Sequence, residues 1–225
     1  MADGRSEIIV GLDEAGRGPV LGSMFLGGAA ISADRLEELE ELGLKDSKKL
    51  TDARREELGP IVEDAVDTVV IKEVTAGEID ELSQIMSLNQ IEINAFAEII
   101  AQLGADTAYI DLPEPDADRF GNKLRAAQDG LEGVDVVAEH GADDTYPIVS
   151  AASILAKNAR EAHVTNLEDR FGTPVGSGYP HDTPTITFLE EYVDEHGTLP
   201  DAARTSWSTA ARIMQEHGQQ RLDGF

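Results

Sequence analysis

The segment from residue 8 to residue 18 constrains the fold most strongly. It begins with an apolar, β-branched run, reaches two acids at Asp13 and Glu14, and continues into the tripeptide Gly-Arg-Gly at 16–18. Such a run favours a short buried strand. Carboxylates at the end of a buried strand are unfavourable unless a cation meets them. The segment therefore predicts a divalent-metal site beside a glycine loop that a ligand can approach closely.

The composition bounds the class of protein. A chain of 225 residues fits one domain with, at most, a small appendage. The absence of cysteine excludes disulfides and thiolate metal sites. No apolar run is long enough to cross a membrane, and the first residues lack the pattern of a secretory signal. We therefore expect a cytoplasmic protein.

The charge is strongly acidic. Asp and Glu number 44 against 18 Lys and Arg, which gives a net charge of −26. Such a surface repels itself in dilute salt. In molar salt the Debye length falls to ~3 Å and most of the repulsion is screened. We interpret the charge as adaptation to a salt-rich cytoplasm, the alternative being a basic partner.

The hydrophobic patterning predicts an α/β fold with a mixed sheet flanked by helices. Strands are predicted at residues 8–13, 20–31, 66–74, 107–111 and 134–139, and helices at 33–42, 52–65, 116–128, 148–170, 183–197 and 206–217, with further helices starting near 75 and 87. The helices after Pro180 indicate a small appended subdomain. The predicted domains are residues 1–180, 181–218 and a tail at 219–225.

Acidic residues follow several of the predicted strands. Asp13 with Glu14, Asp111, and Asp143 with Asp144 meet at one sheet edge if their strands are neighbours. Carboxylate oxygens favour Mg²⁺ or Mn²⁺. Two such ions about 4 Å apart activate a water and stabilise the leaving oxygen of a phosphodiester. The alternative is that these acids are separate surface residues without a shared ligand. This alternative is strongest for Asp143 and Asp144, because they lie in a predicted loop.

Two further features suggest contact with a polyanion or a sugar. Lys45, Lys48 and Lys49 form a basic cluster on an otherwise acidic chain, although a basic loop without a partner would have the same composition. Tyr179 lies in a Gly-Ser-Gly-Tyr-Pro loop, where its ring can stack on a sugar or base or simply pack.

Four motifs in order resemble those of one enzyme family. They are Gly-Leu-Asp-Glu-Ala-Gly-Arg-Gly-Pro-Val at 11–20, Lys-Asp-Ser-Lys-Lys-Leu-Thr at 45–51, Ala-Asp, Tyr-Pro and Ser-Ala-Ala-Ser-Ile-Leu-Ala-Lys within 142–157, and Gly-Ser-Gly-Tyr-Pro at 176–180. Together they resemble ribonuclease HII of the archaeal type, and the acidity suggests a halophile.

The resemblance implies an RNase H-like fold and a metal-dependent endonuclease that uses Mg²⁺ or Mn²⁺, with two ions in the active complex. It implies cleavage of RNA in RNA/DNA hybrids, and of DNA on the 5′ side of even a single embedded ribonucleotide. The products would carry a 3′-hydroxyl and a 5′-phosphate.

The resemblance also implies roles for individual residues. The catalytic acids are Asp13, Glu14, Asp111 and Asp143, of which the first three are the expected direct metal ligands. The substrate contacts comprise Gly16, Arg17 and Gly18 at the 2′-hydroxyl, Tyr179 against the sugar, Ser47 and Lys48 at a phosphate, and Lys157 in support. Since neighbouring residues of a strand face opposite ways, Asp13 and Glu14 share a metal only if the strand ends or bulges there.

The C-terminal residues Gln219, Leu222 and Phe225 have the spacing Gln-x-x-Leu-x-x-Phe. This spacing resembles the peptide with which replication and repair enzymes bind a sliding clamp. A glutamine anchor with two apolar side chains suits recognition in a groove. The alternative is a terminal segment that binds nothing.

Two other functions compete with the ribonuclease. A nuclease of similar fold could act on all-DNA substrates, but the Gly-Arg-Gly loop argues against it. A clamp-associated nucleic-acid-binding module without catalysis is the other, and the intact acids argue against that. We expect a monomer whose partners are RNA/DNA hybrids, ribonucleotide-containing DNA and a sliding clamp.

Overall fold

The computed structural model describes residues 6–44, 50–111 and 117–223. Within them the strands are β1 (Ile8–Ala15), β2 (Met24–Ser32), β3 (Thr68–Val74), β4 (Thr107–Asp111) and β5 (Asp135–Glu139). The helices are α1 (Leu36–Glu41), α2 (Asp52–Ala65), α3 (Ala76–Leu82), α4 (Leu88–Leu103), α5 (Ala117–Ala127), α6 (Ala142–Thr145), α7 (Pro147–Phe171), α8 (Thr183–His196) and α9 (Ser208–Asp223). The predicted α/β fold is confirmed.

The described strands form one sheet of five in the order β3-β2-β1-β4-β5. β1 pairs antiparallel with β2 and parallel with β4, and β4 pairs parallel with β5. The sheet is therefore mixed, as predicted. Because β1, β4 and β5 run in the same direction as neighbours, their carboxyl ends meet at one edge of the sheet. That edge carries the acids at residues 13 and 111.

Helix α7 packs unusually closely against β1 and β2. A Cβ added to Gly11 would lie 2.2 Å from the carbonyl oxygen of Ile148, and one added to Gly27 would lie 2.6 Å from that of Ala152. Only glycine admits a backbone at such distances. Side chains of this helix and strand, among them Ile9, Val149 and Leu155, belong to one buried apolar cluster. The close packing fixes where the following turns of α7 meet the sheet edge.

The chain divides into two compact units. We call the first the sheet unit; it comprises Met1–Ala15, Phe25–Lys72 and Asn89–Ala159. The second, the helical unit, comprises Gly16–Met24, Glu73–Leu88 and Arg160–Phe225. The helical unit has its own apolar core, which includes Leu21, Leu167, Phe188, Val193 and Ile213. The division into residues 1–180, 181–218 and 219–225 stays a prediction.

Several local predictions are confirmed. The side chain of Thr51 accepts a hydrogen bond from the Arg54 amide and caps α2. Thr75 and Glu78 form a reciprocal capping box at the start of α3. Both devices satisfy amides that the first helical turn leaves without an intrahelical partner.

Three predicted boundaries are wrong. Residues 20–23 precede β2 because the amides of Val20 and Leu21 donate to the carbonyl of Gly178. The predicted loop at 140–147 contains α6, whose four residues are too few to leave a periodic pattern. Helix α9 extends to Asp223 and not only to residue 217, so Gln219 and Leu222 lie in a helix.

None of the helices in the described residues combines the length and apolar character needed to cross a bilayer.

Candidate active site

Three aspartates of the sheet unit converge at the edge where the parallel strands end. Ligand oxygens of Asp13, Asp111 and Asp143 all lie within 4.8 Å of one another. Asp13 is near the end of β1, Asp111 is the last residue of β4, and Asp143 is in the first turn of α6, just after β5. The predicted convergence of acids at one sheet edge is thus present in the structure.

Backbone amides hold Asp111 in place. Its Oδ1 accepts a hydrogen bond from the Gly141 amide at 2.8 Å and a longer one from the Ala142 amide at 3.3 Å. These amides belong to the turn that opens α6, so the carboxylate is tied to the loop that carries Asp143. Hydrogen bonds from N–H groups to a carboxylate are stronger than those between neutral groups, so they fix the position of this side chain well.

Asp143 and Asp144, the two adjacent candidates for the fourth acid of the site, differ in burial. Asp143 is fully buried, whereas the neighbouring Asp144 is exposed. The backbone carbonyl of Asp143 also accepts a hydrogen bond from the hydroxyl of the buried Ser150 on α7. The structure therefore places Asp143 in the acidic cluster and Asp144 at the surface.

Asp13 is the electrostatic centre of the cluster. Burial raises the pKa of Asp13 from 3.8 to about 8, and the negative charges of Glu14 and Asp111 act in the same direction. A hydrogen bond from Ser153 and the positive charge of Lys157 oppose the increase. A carboxylate in such surroundings is held protonated or meets a cation.

Ser153 connects Lys157 to Asp13. The Nζ of Lys157 donates to the Ser153 hydroxyl at 2.8 Å, and that hydroxyl hydrogen-bonds the Asp13 carboxylate. Both residues are on α7, one turn apart, so they share a face of the helix. Lys157 was predicted from the sequence and Ser153 was not, although its i, i+4 spacing from that lysine was a usable signal.

Glu14 follows Asp13 within β1 and is half-buried. β1 continues to Ala15 and pairs residue by residue with β2 through this region, from Asp13 with Gly27 to Ala15 with Phe25. The pairing with β2 therefore continues past Asp13, whereas the pairing with β4 ends at Leu12. The charge of Glu14 acts on Asp13 and raises the pKa of that carboxyl. Glu14 is outside the three-acid cluster found in the described residues, and its role as a metal ligand stays a prediction.

The donor chemistry of the cluster fits a hard divalent cation. Three carboxylates supply oxygen ligands, and the chain has no cysteine. Oxygen donors of this kind suit Mg²⁺ and Mn²⁺. A cation would also neutralise the repulsion among acids that raises the pKa of Asp13. Asp13, Asp111 and Asp143 are the residues that could hold it.

The predicted sugar-reading residues belong to the helical unit. Gly16 has a φ of 82°, which disfavours other residues, and a Cβ there would lie 2.8 Å from the Ser23 carbonyl oxygen. Gly18 is exposed, and a Cβ on it would lie 3.3 Å from the Tyr179 ring. The structure thus brings the Gly-Arg-Gly loop and Tyr179 together.

Tyr179 is half-buried and held from one side by Arg160. The guanidinium of Arg160 lies 5.2 Å from the centre of the ring and donates to the carbonyl of Ser177. A cation over an aromatic face is attracted by the ring quadrupole. The ring is consequently fixed beside Gly18 by its own loop.

The remaining predicted contacts are only partly described. Ser47 and Lys48 lie outside the described residues, as does Phe225. Gln219 is exposed on α9, and Leu222 lies in the same helix.

Sequence analysis also missed Arg204. This arginine is fully buried in the helical unit, and it donates to carbonyls of the Gly-Arg-Gly loop. It precedes Trp207 in a Pro-bounded connection without any recognisable motif. No local signal distinguishes it from a surface arginine.

Comparisons with known proteins agree with this geometry. The family model for ribonuclease HII matches residues 10–210. A ribonuclease HII from Methanothrix thermoacetophila is 42% identical over 206 residues, covering 92% of this chain and 97% of that protein.

Two solved structures are similar over most of their length. The ribonuclease H2 from Pyrococcus horikoshii has a TM-score of 0.87 at 37% identity, covering 94% of this chain and 99% of that one. The PCNA–RNase HII complex from Archaeoglobus fulgidus contains a chain with a TM-score of 0.82 at 37% identity, covering 91% of this chain and 96% of that one. The RNase H-like fold is thereby confirmed. With three buried or half-buried aspartates at the sheet edge and a family match across most of its length, the chain belongs to the ribonuclease HII family and is a metal-dependent type 2 ribonuclease H.

Proposed function

We propose that the enzyme cleaves the RNA strand of RNA/DNA hybrids and cuts DNA on the 5′ side of an embedded ribonucleotide. The products carry a 3′-hydroxyl and a 5′-phosphate. The observation that carries this proposal is the convergence of Asp13, Asp111 and Asp143 within 4.8 Å. An acidic cluster of this kind suits hydrolysis of a phosphodiester, and it argues against a module that binds without catalysis.

Asp13, Asp111 and Asp143 would hold Mg²⁺ or Mn²⁺, with two ions expected in the active complex. When bound, a divalent cation supplies an activated water and stabilises the charge that develops on the leaving oxygen. The chain contributes the fixed positions of the acids. Asp111 is anchored by two backbone amides, and Asp13 is held by Ser153 and Lys157. Glu14 adds negative charge that strengthens the attraction of Asp13 for a cation.

Recognition of RNA rests on Gly16, Arg17, Gly18 and Tyr179. The 2′-hydroxyl is the group that distinguishes RNA from DNA at a single sugar, and it both donates and accepts hydrogen bonds. Backbone amides of a glycine loop can approach it closely. The adjacent ring of Tyr179 offers a stacking surface for a neighbouring sugar or base. Ser47 and Lys48 would hold a backbone phosphate.

The C-terminal segment is the proposed binding site for a sliding clamp. The Archaeoglobus relative was solved as a complex with PCNA. This chain carries Gln219, Leu222 and Phe225 at clamp-peptide spacing. Binding to the clamp would bring the nuclease to newly replicated DNA, where embedded ribonucleotides are removed. The enzyme would act as a monomer.

The net charge of −26 fits a cytoplasm rich in salt. At high ionic strength the repulsion between surface carboxylates is screened, whereas buried contacts are affected much less. Phosphate neutralisation contributes little to nucleic-acid binding there. Backbone amides, stacking and metal bridging then carry more of the recognition.

A single assay tests the proposed reaction. A DNA duplex with one ribonucleotide is incubated with the enzyme at high KCl and with Mg²⁺ or Mn²⁺, beside the all-DNA duplex and an Asp13→Asn protein. We expect one cut 5′ of the ribonucleotide, absent from both controls. An intact mixed duplex that the folded protein still binds would overturn the proposal and favour a binding module.

A further inference from the structure

Arg204 is a buried cation in the helical unit whose hydrogen bonds go to backbone carbonyls. It is fully buried, and its guanidinium donates to Gly16 O at 2.5 Å, Arg17 O at 2.7 Å and Gly22 O at 3.0 Å. Burial lowers the pKa of Arg204 to about 10, so the side chain stays charged at neutral pH. A buried charge is costly unless it is well hydrogen-bonded. The three carbonyls meet that requirement through the fork geometry of arginine.

Trp207 also donates a hydrogen bond to the Gly-Arg-Gly loop. Its Nε1 donates to Gly18 O at 3.3 Å, and the Arg204 guanidinium lies 5.0 Å from the centre of its ring. The carbonyls of Gly16, Arg17 and Gly18 therefore all accept hydrogen bonds from the segment 204–207. The whole Gly-Arg-Gly loop is held from its carbonyl side.

The segment 204–207 is itself fixed within the helical unit. Asp80 of α3 accepts hydrogen bonds from the amides of Thr205 at 2.7 Å and Ser206 at 3.0 Å, and from both of their hydroxyls. The Arg204 amide donates to Val20 O at 2.8 Å. The segment is therefore rigid where it meets the loop.

The hydrogen bonds from Arg204 to the loop carbonyls also determine where the loop N–H groups point. In a planar trans peptide the C=O and N–H groups point in opposite directions. Once Arg204 holds Gly16 O and Arg17 O, the N–H groups of Arg17 and Gly18 are directed away from the guanidinium. Residue 19 is proline, so the next peptide bond has no N–H donor. A cation on the carbonyl side also polarises each peptide and makes its N–H a stronger donor.

We propose that Arg204 and Trp207 are positioning residues for ribonucleotide recognition: Arg204 orients and polarises the amides of Arg17 and Gly18 toward a sugar hydroxyl, and Trp207 holds the Gly18 end of the same loop in place. This inference rests on the proposed role of that loop as the reader of the 2′-hydroxyl. In this role neither residue needs to touch the substrate. They act through the backbone, so their effect is on discrimination between RNA and DNA sugars.

The test compares Trp207→Phe, Arg204→Lys and Arg204→Met with Arg170→Met, which removes an exposed arginine that pairs with Asp201 at the surface. Trp207→Phe keeps a ring beside Arg204 and removes the donor to Gly18. Arg204→Lys keeps the positive charge but loses the planar guanidinium that donates to several carbonyls at once. Each protein is checked by thermal melting. Affinities for a duplex with one ribonucleotide and for the all-DNA duplex of the same sequence are measured without divalent metal, and KM and kcat with it.

We expect Trp207→Phe and Arg204→Lys to lose about three- to tenfold of the preference for the ribonucleotide duplex, with Arg204→Met losing more. Affinity for the all-DNA duplex should change by less than about twofold, and the loss in cleavage should appear mainly in KM. Arg170→Met should behave as wild type.

A folded Trp207→Phe protein with unchanged preference would overturn the inference, and this variant decides the matter if the arginine variants do not fold. Equal weakening for both duplexes would also overturn it, since that indicates a general structural role. If the wild-type protein shows no preference for the ribonucleotide duplex, the loop does not read the 2′-hydroxyl, and this inference fails together with the proposed function. If the wild type prefers and cleaves that duplex and the variants do so equally well, only the role of Arg204 and Trp207 fails.

Discussion

The amide of Gly141 donates to Oδ1 of Asp111 at 2.8 Å and joins the last residue of β4 to the turn that carries Asp143. Asp111 pairs with Glu139 at the end of β5, so this turn begins two residues beyond the sheet edge. This hydrogen bond, with the longer one from the Ala142 amide, links two acids that are distant in sequence. The position of Asp143 depends on this turn, which makes the neighbouring pair Asp143 and Asp144 an informative comparison.

We predict that Asp143→Asn lowers kcat/KM by on the order of 10²-fold or more, whereas Asp144→Asn stays within about threefold of wild type. The reason is that Asp143 is buried in the cluster and Asp144 is exposed. Steady-state cleavage of the single-ribonucleotide duplex measures both. The two variants are matched controls, since they differ by one position in the same short helix. Equal losses would show that the cluster is assembled differently.

We predict that Asp13→Asn abolishes cleavage and stabilises the metal-free protein at about pH 8. The pKa of Asp13 is about 8 in the folded protein against 3.8 ordinarily. Between these values the folded state binds more protons than the unfolded state, so the free energy of unfolding decreases as the pH rises. Asparagine removes that dependence.

Thermal melting of both proteins between about pH 5 and pH 8, with and without Mg²⁺, measures this effect. Added metal should raise the Tm of the wild type more than that of the variant. A steeper decrease in the Tm of the variant with rising pH would contradict the assignment of the titrating group to Asp13.

We predict that Tyr179→Ala weakens cleavage of the single-ribonucleotide duplex by about tenfold, while Tyr179→Phe keeps most activity. Stacking of an aromatic ring on a base contributes ~1–3 kcal/mol. The ring lies beside the exposed Gly18 and under Arg160. Measuring KM and kcat for both variants separates stacking from a role of the hydroxyl. A Phe variant as weak as the Ala variant would assign the effect to the hydroxyl instead.

We predict that the Tm of the protein rises with KCl between about 0.1 M and 1 M, over which the Debye length falls from ~10 Å to ~3 Å. The net charge of −26 makes screening favourable to the compact state. For a chain of this size each 1 kcal/mol gained raises the Tm by roughly 2–4 °C. Sucrose at equal osmolality controls for general solute exclusion. A Tm that is constant across the KCl series would exclude adaptation to salt.

We predict that the double variant Leu222→Ala with Phe225→Ala loses binding to a sliding clamp and keeps nuclease activity on free duplexes. The two apolar side chains and Gln219 have the spacing of a clamp-binding peptide. Titration calorimetry with the clamp measures the affinity, and Gln220→Ala is the neighbouring control. Unchanged affinity in the double variant would refute this use of the segment.

The sequence by itself determined the acids, the loop and most of the elements. Asp13 and Asp111 follow apolar strand-forming runs, and that pattern reports burial because the run must lie in a core. The first residue of helix α2 was predicted correctly because Thr51 is an N-cap whose signal lies in the adjacent sequence. The four motifs at 11–20, 45–51, 142–157 and 176–180 together indicated the family. These features are local in the chain, and local chemistry decides them.

The tertiary structure decided what depends on contacts between distant segments. It selected Asp143 over Asp144, because burial of one of two adjacent aspartates depends on how α6 lies against the sheet. It also placed Asp13 and Glu14 in a strand that keeps its pairing with β2 through both residues. Arg204 reaches Gly16 across 188 positions of the chain. An arginine's partners are set by the folded path of the backbone, and that path leaves no periodic or motif signal around residue 204.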